Sequence, residues 1–136
     1  RTDFGDSDRL YLASFRRGVA LQALGVDAKA LAAFRETIRF TDTVEAARAQ
    51  FNIGSVLFGQ QNYSEAAKHF LRVEMLYDYP DLSPKALYHA VTSFRKAGDA
   101  KRARIYAEKL DETYPETEWS DRLPSDPPEA GENEAQ

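Results

Sequence analysis

The chain has 136 residues, 43% hydrophobic and 29% charged, with a formal net charge of −4, values that fit one ordinary globular domain around a single core. No run approaches the ~18 uninterrupted apolar residues of a membrane-spanning helix. The absence of cysteine excludes disulfide frameworks, thiolate metal sites and cysteine nucleophiles together.

In chain order, residues 1–7 are expected as a disordered lead-in, and because the first residue is Arg1 rather than Met, a matured or excised piece is expected. The breakers then fall at intervals, and no stretch alternates apolar and polar residues long enough for a strand. The pattern predicts six helices over 8–24, 27–40, 44–60, 63–78, 84–97 and 100–113. Gly25 and Gly98 suit the left-handed conformation that ends a helix. Asn62 with Glu65 reads as a capping box, Ser83 as a capping hydroxyl before Pro84, and Asp99 as the cap of the sixth helix. A short seventh helix is expected near Glu116–Leu123, with Trp119 and Leu123 on one face. From Pro124 onward there are three prolines, the acids Asp126, Glu129, Glu132 and Glu134, and no base. Such a segment buries too little apolar surface to offset its ordering entropy, so 124–136 is expected as a disordered acidic tail. The remaining residues hold 18 bases and 18 acids, and a neutral body argues against a general nucleic-acid binder.

The helices come in three similar pairs. Offsets of 36 and 37 residues link Phe15, Phe51 and Tyr88, and likewise Gly18, Gly54 and Val91. The same offsets link Leu21, Leu57 and Phe94, then Gly25, Gln61 and Gly98, then Ala30, Ala66 and Ala103. A repeat of this length with one helix–turn–helix per unit marks an all-α chain built as an α-solenoid, its domain spanning 8–123. Gly18 and Gly54 are expected where the two helices of a pair approach closely, with the alanine column as small partners. Phe34 and Phe70 are expected in an outer layer of the second helix, with Ala107 as their smaller equivalent.

These residues resemble the tetratricopeptide repeat, whose pattern runs W-x2-L-G-x2-Y, then A-x3-F, then P. The middle unit carries the resemblance best, through Ala49, Phe51, Gly54, Leu57, Ala66 and Phe70. The first has Arg17 where an apolar residue is usual, the third has Val91 in place of glycine, and none has the tryptophan. Units longer than the usual 34, two of them ending in Tyr79-Pro80 and Tyr114-Pro115, resemble a bacterial cell-envelope subset that includes the Tol-Pal accessory protein and the lipoproteins of outer-membrane assembly. The resemblance implies a non-enzymatic scaffold that binds a protein or peptide, in the periplasm or cell envelope.

In that architecture the first helices line a concave surface. Its inward positions would be Leu12, Phe15, Val19 and Gln22, then Arg48, Phe51, Ser55 and Phe58, then Lys85, Tyr88, Thr92 and Arg95. Each set keeps to one helix face and suits an extended or helical peptide with apolar anchors and an acidic group. Phe15, Phe51 and Tyr88 serve equally well as internal packing. Asn52, Lys85 and His89 resemble part of a clamp for a terminal carboxylate, but Phe15 and Val19 stand where its other polar members would be, so such capture is not the expectation. Arg95, Lys96, Lys101, Arg102 and Arg104, opposed by Asp99, form a basic cluster that offers an alternative reading, an anionic-ligand or nucleic-acid site. A third reading makes the chain an accessory domain of a larger enzyme or transporter. No phosphate loop, dinucleotide fingerprint, nucleophile elbow or zinc-protease motif is present, so no catalytic residue, cofactor or metal is expected. Helix one is apolar around most of its circumference and is expected to meet upstream repeats or a second copy of the chain.

Overall fold

The computed structural model describes residues 3–123. Seven helices follow one another among them: α1 (Asp3–Ala23), α2 (Asp27–Phe40), α3 (Val44–Gly59), α4 (Tyr63–Leu76), α5 (Ser83–Lys96), α6 (Ala100–Thr113) and the short α7 (Glu118–Asp121). From α1 to α6 each helix packs on the next, α3 also touches α1, and α7 rests on α5 and α6. This is the expected solenoid of three helix pairs, closed by the seventh helix. The first helix begins earlier than expected, so helical backbone occupies residues 3–7 of the expected lead-in. Residues 1–2 and the acidic segment 124–136 lie outside the described residues.

One turn closes all three pairs. Gly25, Gln61 and Gly98 adopt φ of 78°, 65° and 82°. Each donates its N–H to the carbonyl three residues back, Gln22, Phe58 and Arg95 respectively. The following N–H groups, of Val26, Asn62 and Asp99, reach back to Leu21, Leu57 and Phe94 at 2.9 Å each. This is the Schellman arrangement, which satisfies carbonyls that a helix end otherwise leaves unpaired. A positive φ is easy for glycine and costly for glutamine, so Gln61 holds its place because the turn demands it.

The next helix starts directly from this turn. Val26, Asn62 and Asp99 share one backbone conformation, with φ between −91° and −99° and ψ between 70° and 76°. Asp99 caps α6 as expected, its carboxylate accepting from the Arg102 N–H at 3.0 Å. Asn62 makes no capping bond; Glu65 is drawn outward to Lys68 at 3.0 Å, so the expected capping box does not form. Ser83 is a buried first residue of α5 rather than its cap, and Pro84 follows in the first turn.

Within each of the first two pairs the helices are held at a distance set by one contact. A Cβ on Gly18 would fall 2.6 Å from the Phe34 ring, and one on Gly54 would fall 2.8 Å from the Phe70 ring. The rings themselves are fully buried. Phe34 and Phe70 therefore lie between the helices rather than in an outer layer, because only the missing Cβ leaves room for an aromatic ring there. In the third pair Val91 and Ala107, both buried, stand at the corresponding positions; the larger residue has moved from the second helix to the first. The core that results is continuous from Ala30 to Leu110, with Phe15, Trp119 and Leu123 packed against its edges.

Candidate partner-binding face

The first helices α3 and α5 bring their half-exposed side chains to one face. A cleft of about 350 Å³ is lined by Ser55 and Phe58 of α3, Phe70 of α4, and Tyr88, His89 and Thr92 of α5. A second, of about 340 Å³, is lined by Tyr88, Thr92, Arg95 and Lys96. Tyr88 and Thr92 belong to both, so the two form one trough along α5. A third cleft of about 280 Å³ lies where the α4–α5 loop meets α3, between Arg48 and Lys85, with Tyr79, Pro80, Asp81 and Leu82 completing its wall. From Lys85 to Lys96 a helix rises ~16 Å. Bases thus flank an aromatic and hydroxyl-bearing floor.

His89 is the hub of that floor. Its ring lies 5.3 Å from Phe51, 5.4 Å from both Phe70 and Tyr88, and 5.8 Å from Trp119, centroid to centroid. Burial among these rings lowers its pKa to about 4, and the nearby charges of Lys85 and Arg122 push the same way. At neutral pH His89 is uncharged, so it offers a partner an aromatic edge and no cation. The Lys85 ammonium lies 4.8 Å from the Phe51 centroid and the Arg122 guanidinium 4.6 Å from that of Trp119, distances at which a cation is attracted to the face of a ring.

The family model of the tetratricopeptide repeat matches residues 85–117, which span α5, α6 and the turn between them. That turn and its hydrogen bonds recur in the two preceding units. Residues 85–117 are thus similar to a tetratricopeptide repeat, and the preceding helix pairs repeat the same turn. No curated protein and no solved structure matches it. Tetratricopeptide repeats are in general protein–protein interaction modules and typically non-catalytic scaffolds. No helix among the described residues is long and apolar enough to cross a membrane.

Against that repeat frame, Ser55, Phe58, Tyr88, His89, Thr92 and Arg95 gather in the trough, and Arg48 and Lys85 line the neighbouring cleft. Phe51 is buried, edge-on to Phe70 at 5.0 Å, and supports the floor from below. Asn52 is half-buried beside it and lines none of these clefts. Leu12, Phe15, Val19 and Gln22 of α1 stand apart from them too: Phe15 packs towards Phe34 at 6.1 Å, and Val19 faces solvent. In the basic cluster Arg102 is tied to Asp99 at 2.6 Å, which neutralises part of its charge.

Some features of this face are only partly legible in the sequence. Of the Tyr79–Leu82 wall only Tyr79-Pro80 recurs, as Tyr114-Pro115, and Lys96 was legible only as a member of the basic cluster. Trp119 reaches the trough's edge because the Thr117 hydroxyl caps α7, accepting from the Ser120 N–H at 3.2 Å, and turns the indole onto Tyr88 at 5.4 Å. Away from the face, the buried Gln50 amide donates to His69 Nδ1 and joins α3 to α4.

Proposed function

We propose that this chain is a tetratricopeptide-repeat protein and a non-catalytic adaptor that holds an acidic, aromatic-bearing segment of a partner protein along the α5 trough. The observation that carries the reading is the pair of clefts joined at Tyr88 and Thr92, with Lys85 and Arg48 towards one end and Arg95 and Lys96 at the other. An aromatic side chain fits the cleft beside Phe58 and His89, where stacking and burial supply affinity. Carboxylates meet the bases at either end. An extended segment advances ~3.3 Å per residue, so the ~16 Å between Lys85 and Lys96 corresponds to acidic groups about five residues apart. The proposal extends to a bacterial cell-envelope assembly; what supports this is the resemblance of the unit ends Tyr79-Pro80 and Tyr114-Pro115, and fractionation of the source cells tests it.

Selection from a displayed peptide library tests the binding mode. Peptides enriched on the wild-type chain should carry an aromatic residue with flanking acids, and Thr92→Phe, which fills the junction of the two clefts, should abolish their capture. Enrichment that is indifferent to Thr92→Phe would contradict the reading.

A further inference from the structure

The repeat register exposes an interface that the described chain leaves open. In α3, Ala46, Ala49, Ile53 and Val56 are 0%, 0%, 1% and 5% exposed, and α3 packs on the preceding pair, α1 and α2, as well as on α4. The corresponding stripe of α5, Ser83, Ala86, Ala90 and Ser93, is 3%, 0%, 0% and 0% exposed, and α5 packs on α4 of the pair before it. The same positions of α1 are Leu10, Ala13, Arg17 and Ala20, and all four are exposed. Leu10 is 47% exposed, and Leu24, one turn beyond Ala20, is 75% exposed. A stripe that is sealed twice within the chain stands open at its first repeat.

That stripe is self-complementary. It reads Leu10, Ala13, Arg17, Ala20, Leu24, the same in either direction about Arg17. A two-fold contact brings one patch onto its own copy, so residue i meets j and j meets i. With two α1 helices antiparallel and centred on Arg17, Leu10 meets Leu24 of the other copy and Ala13 meets Ala20. The small residues let the helices approach at the 8–10 Å of ordinary helix packing. The central charge is already balanced, since Arg17 pairs with Glu36 of α2 at 2.7 Å. At the axis two arginines and two glutamates sum to zero.

We propose that the 136-residue chain pairs with a second copy of itself through this face, α1 antiparallel to α1. The inference is independent of the trough on α3 and α5. The stripe belongs to one helix, so the buried area falls at the low end for protein pairs and the association is weak.

Light scattering on the full 136-residue chain, from micromolar to millimolar concentration, tests it. The mass should rise from 15.3 kDa towards twice that value. Ala13→Glu should hold the chain at the monomer mass, with its helical circular dichroism and melting temperature retained. Adding Ala20→Lys to that variant should restore pairing, because residue 13 then faces an opposite charge at residue 20 of the other copy. A wild-type chain that stays monomeric throughout overturns the proposal, as does a dimer unmoved by Ala13→Glu. A double variant that remains monomeric overturns the antiparallel register.

Discussion

The Cβ that Gly54 lacks would sit 2.8 Å from the Phe70 ring, so the absence of one atom on α3 sets how closely α4 approaches it. Glycine inside a helix normally costs about 0.5–1 kcal/mol relative to alanine, and Gly54→Ala would ordinarily stabilise. Here the ring decides the sign. Gly54→Ala should destabilise, and Gly54→Leu should cost about 1–3 kcal/mol through overpacking. Thermal denaturation of both variants checks this. In a Phe70→Leu background the penalty of Gly54→Ala should shrink or reverse, as a double-mutant cycle would show.

The shared backbone of Val26, Asn62 and Asp99 offers a gain in stability. Only Asp99 caps its helix with a side chain. Val26→Asp should reproduce that cap at the start of α2 and stabilise the chain by about 1 kcal/mol. Chemical denaturation should show a higher midpoint with an unchanged slope.

At Gln61, φ is 65° in a turn whose counterparts are glycines. Gln61→Gly should relieve the left-handed strain. The gain is about 0.5–1 kcal/mol after the extra freedom of glycine in the unfolded chain is subtracted. Gln61→Val should lower the melting temperature, because branching at Cβ makes a positive φ more costly.

Much of the solenoid is legible from residue columns because each packing problem is posed three times. The spacing of Phe15, Phe51 and Tyr88 fixes the unit length, and Gly25 with Gly98 marks a turn that Gln61 then has to adopt. Whatever occurs once is harder to read. Periodicity cannot tell whether Asn62 caps, since Glu65 has a competing lysine one turn away. Phe34 and Phe70 look like surface-layer residues until the glycine opposite supplies the space. Part of the candidate face was legible too, because Ser55, Phe58, Tyr88 and Thr92 obey the inward spacing. The packing of the Tyr79–Leu82 wall and the docking of Trp119 depend on loop geometry, which the recurrence of Tyr79-Pro80 as Tyr114-Pro115 does not fix. The α1 members of the expected face do not join the trough, whose walls come from α3, α4 and α5.

Acid should loosen the structure in a defined window. His69 and His89 are each lowered from 6.5 to about 4. Burial is the larger cause for both; Arg72 then adds to it at His69, where Glu65 opposes and Arg35 and Lys68 assist, and Lys85 and Arg122 add to it at His89. Between these values the unfolded chain binds protons that the folded chain does not, so stability is full above about pH 6.5 and falls as pH drops towards 4. Both rings are partly exposed and solvent screens them, so the loss is on the order of 1 kcal/mol per ring. The melting temperature should fall between pH 7 and pH 4.5, and His89→Phe should flatten that fall.

Trp119 is the chain's single tryptophan and rests on Tyr88 and His89 at the trough's edge, which makes it a built-in reporter of occupancy. The most direct test of the account is a fluorescence titration of the chain with a short peptide carrying one aromatic residue between two glutamates about five residues apart, against the same peptide with lysines. The account expects a saturable change in Trp119 emission with the acidic peptide, weakened by salt and lost in Lys85→Glu/Lys96→Glu, and no saturable change with the basic one. An equal response to both peptides, or none to the acidic one at millimolar concentration, would contradict it.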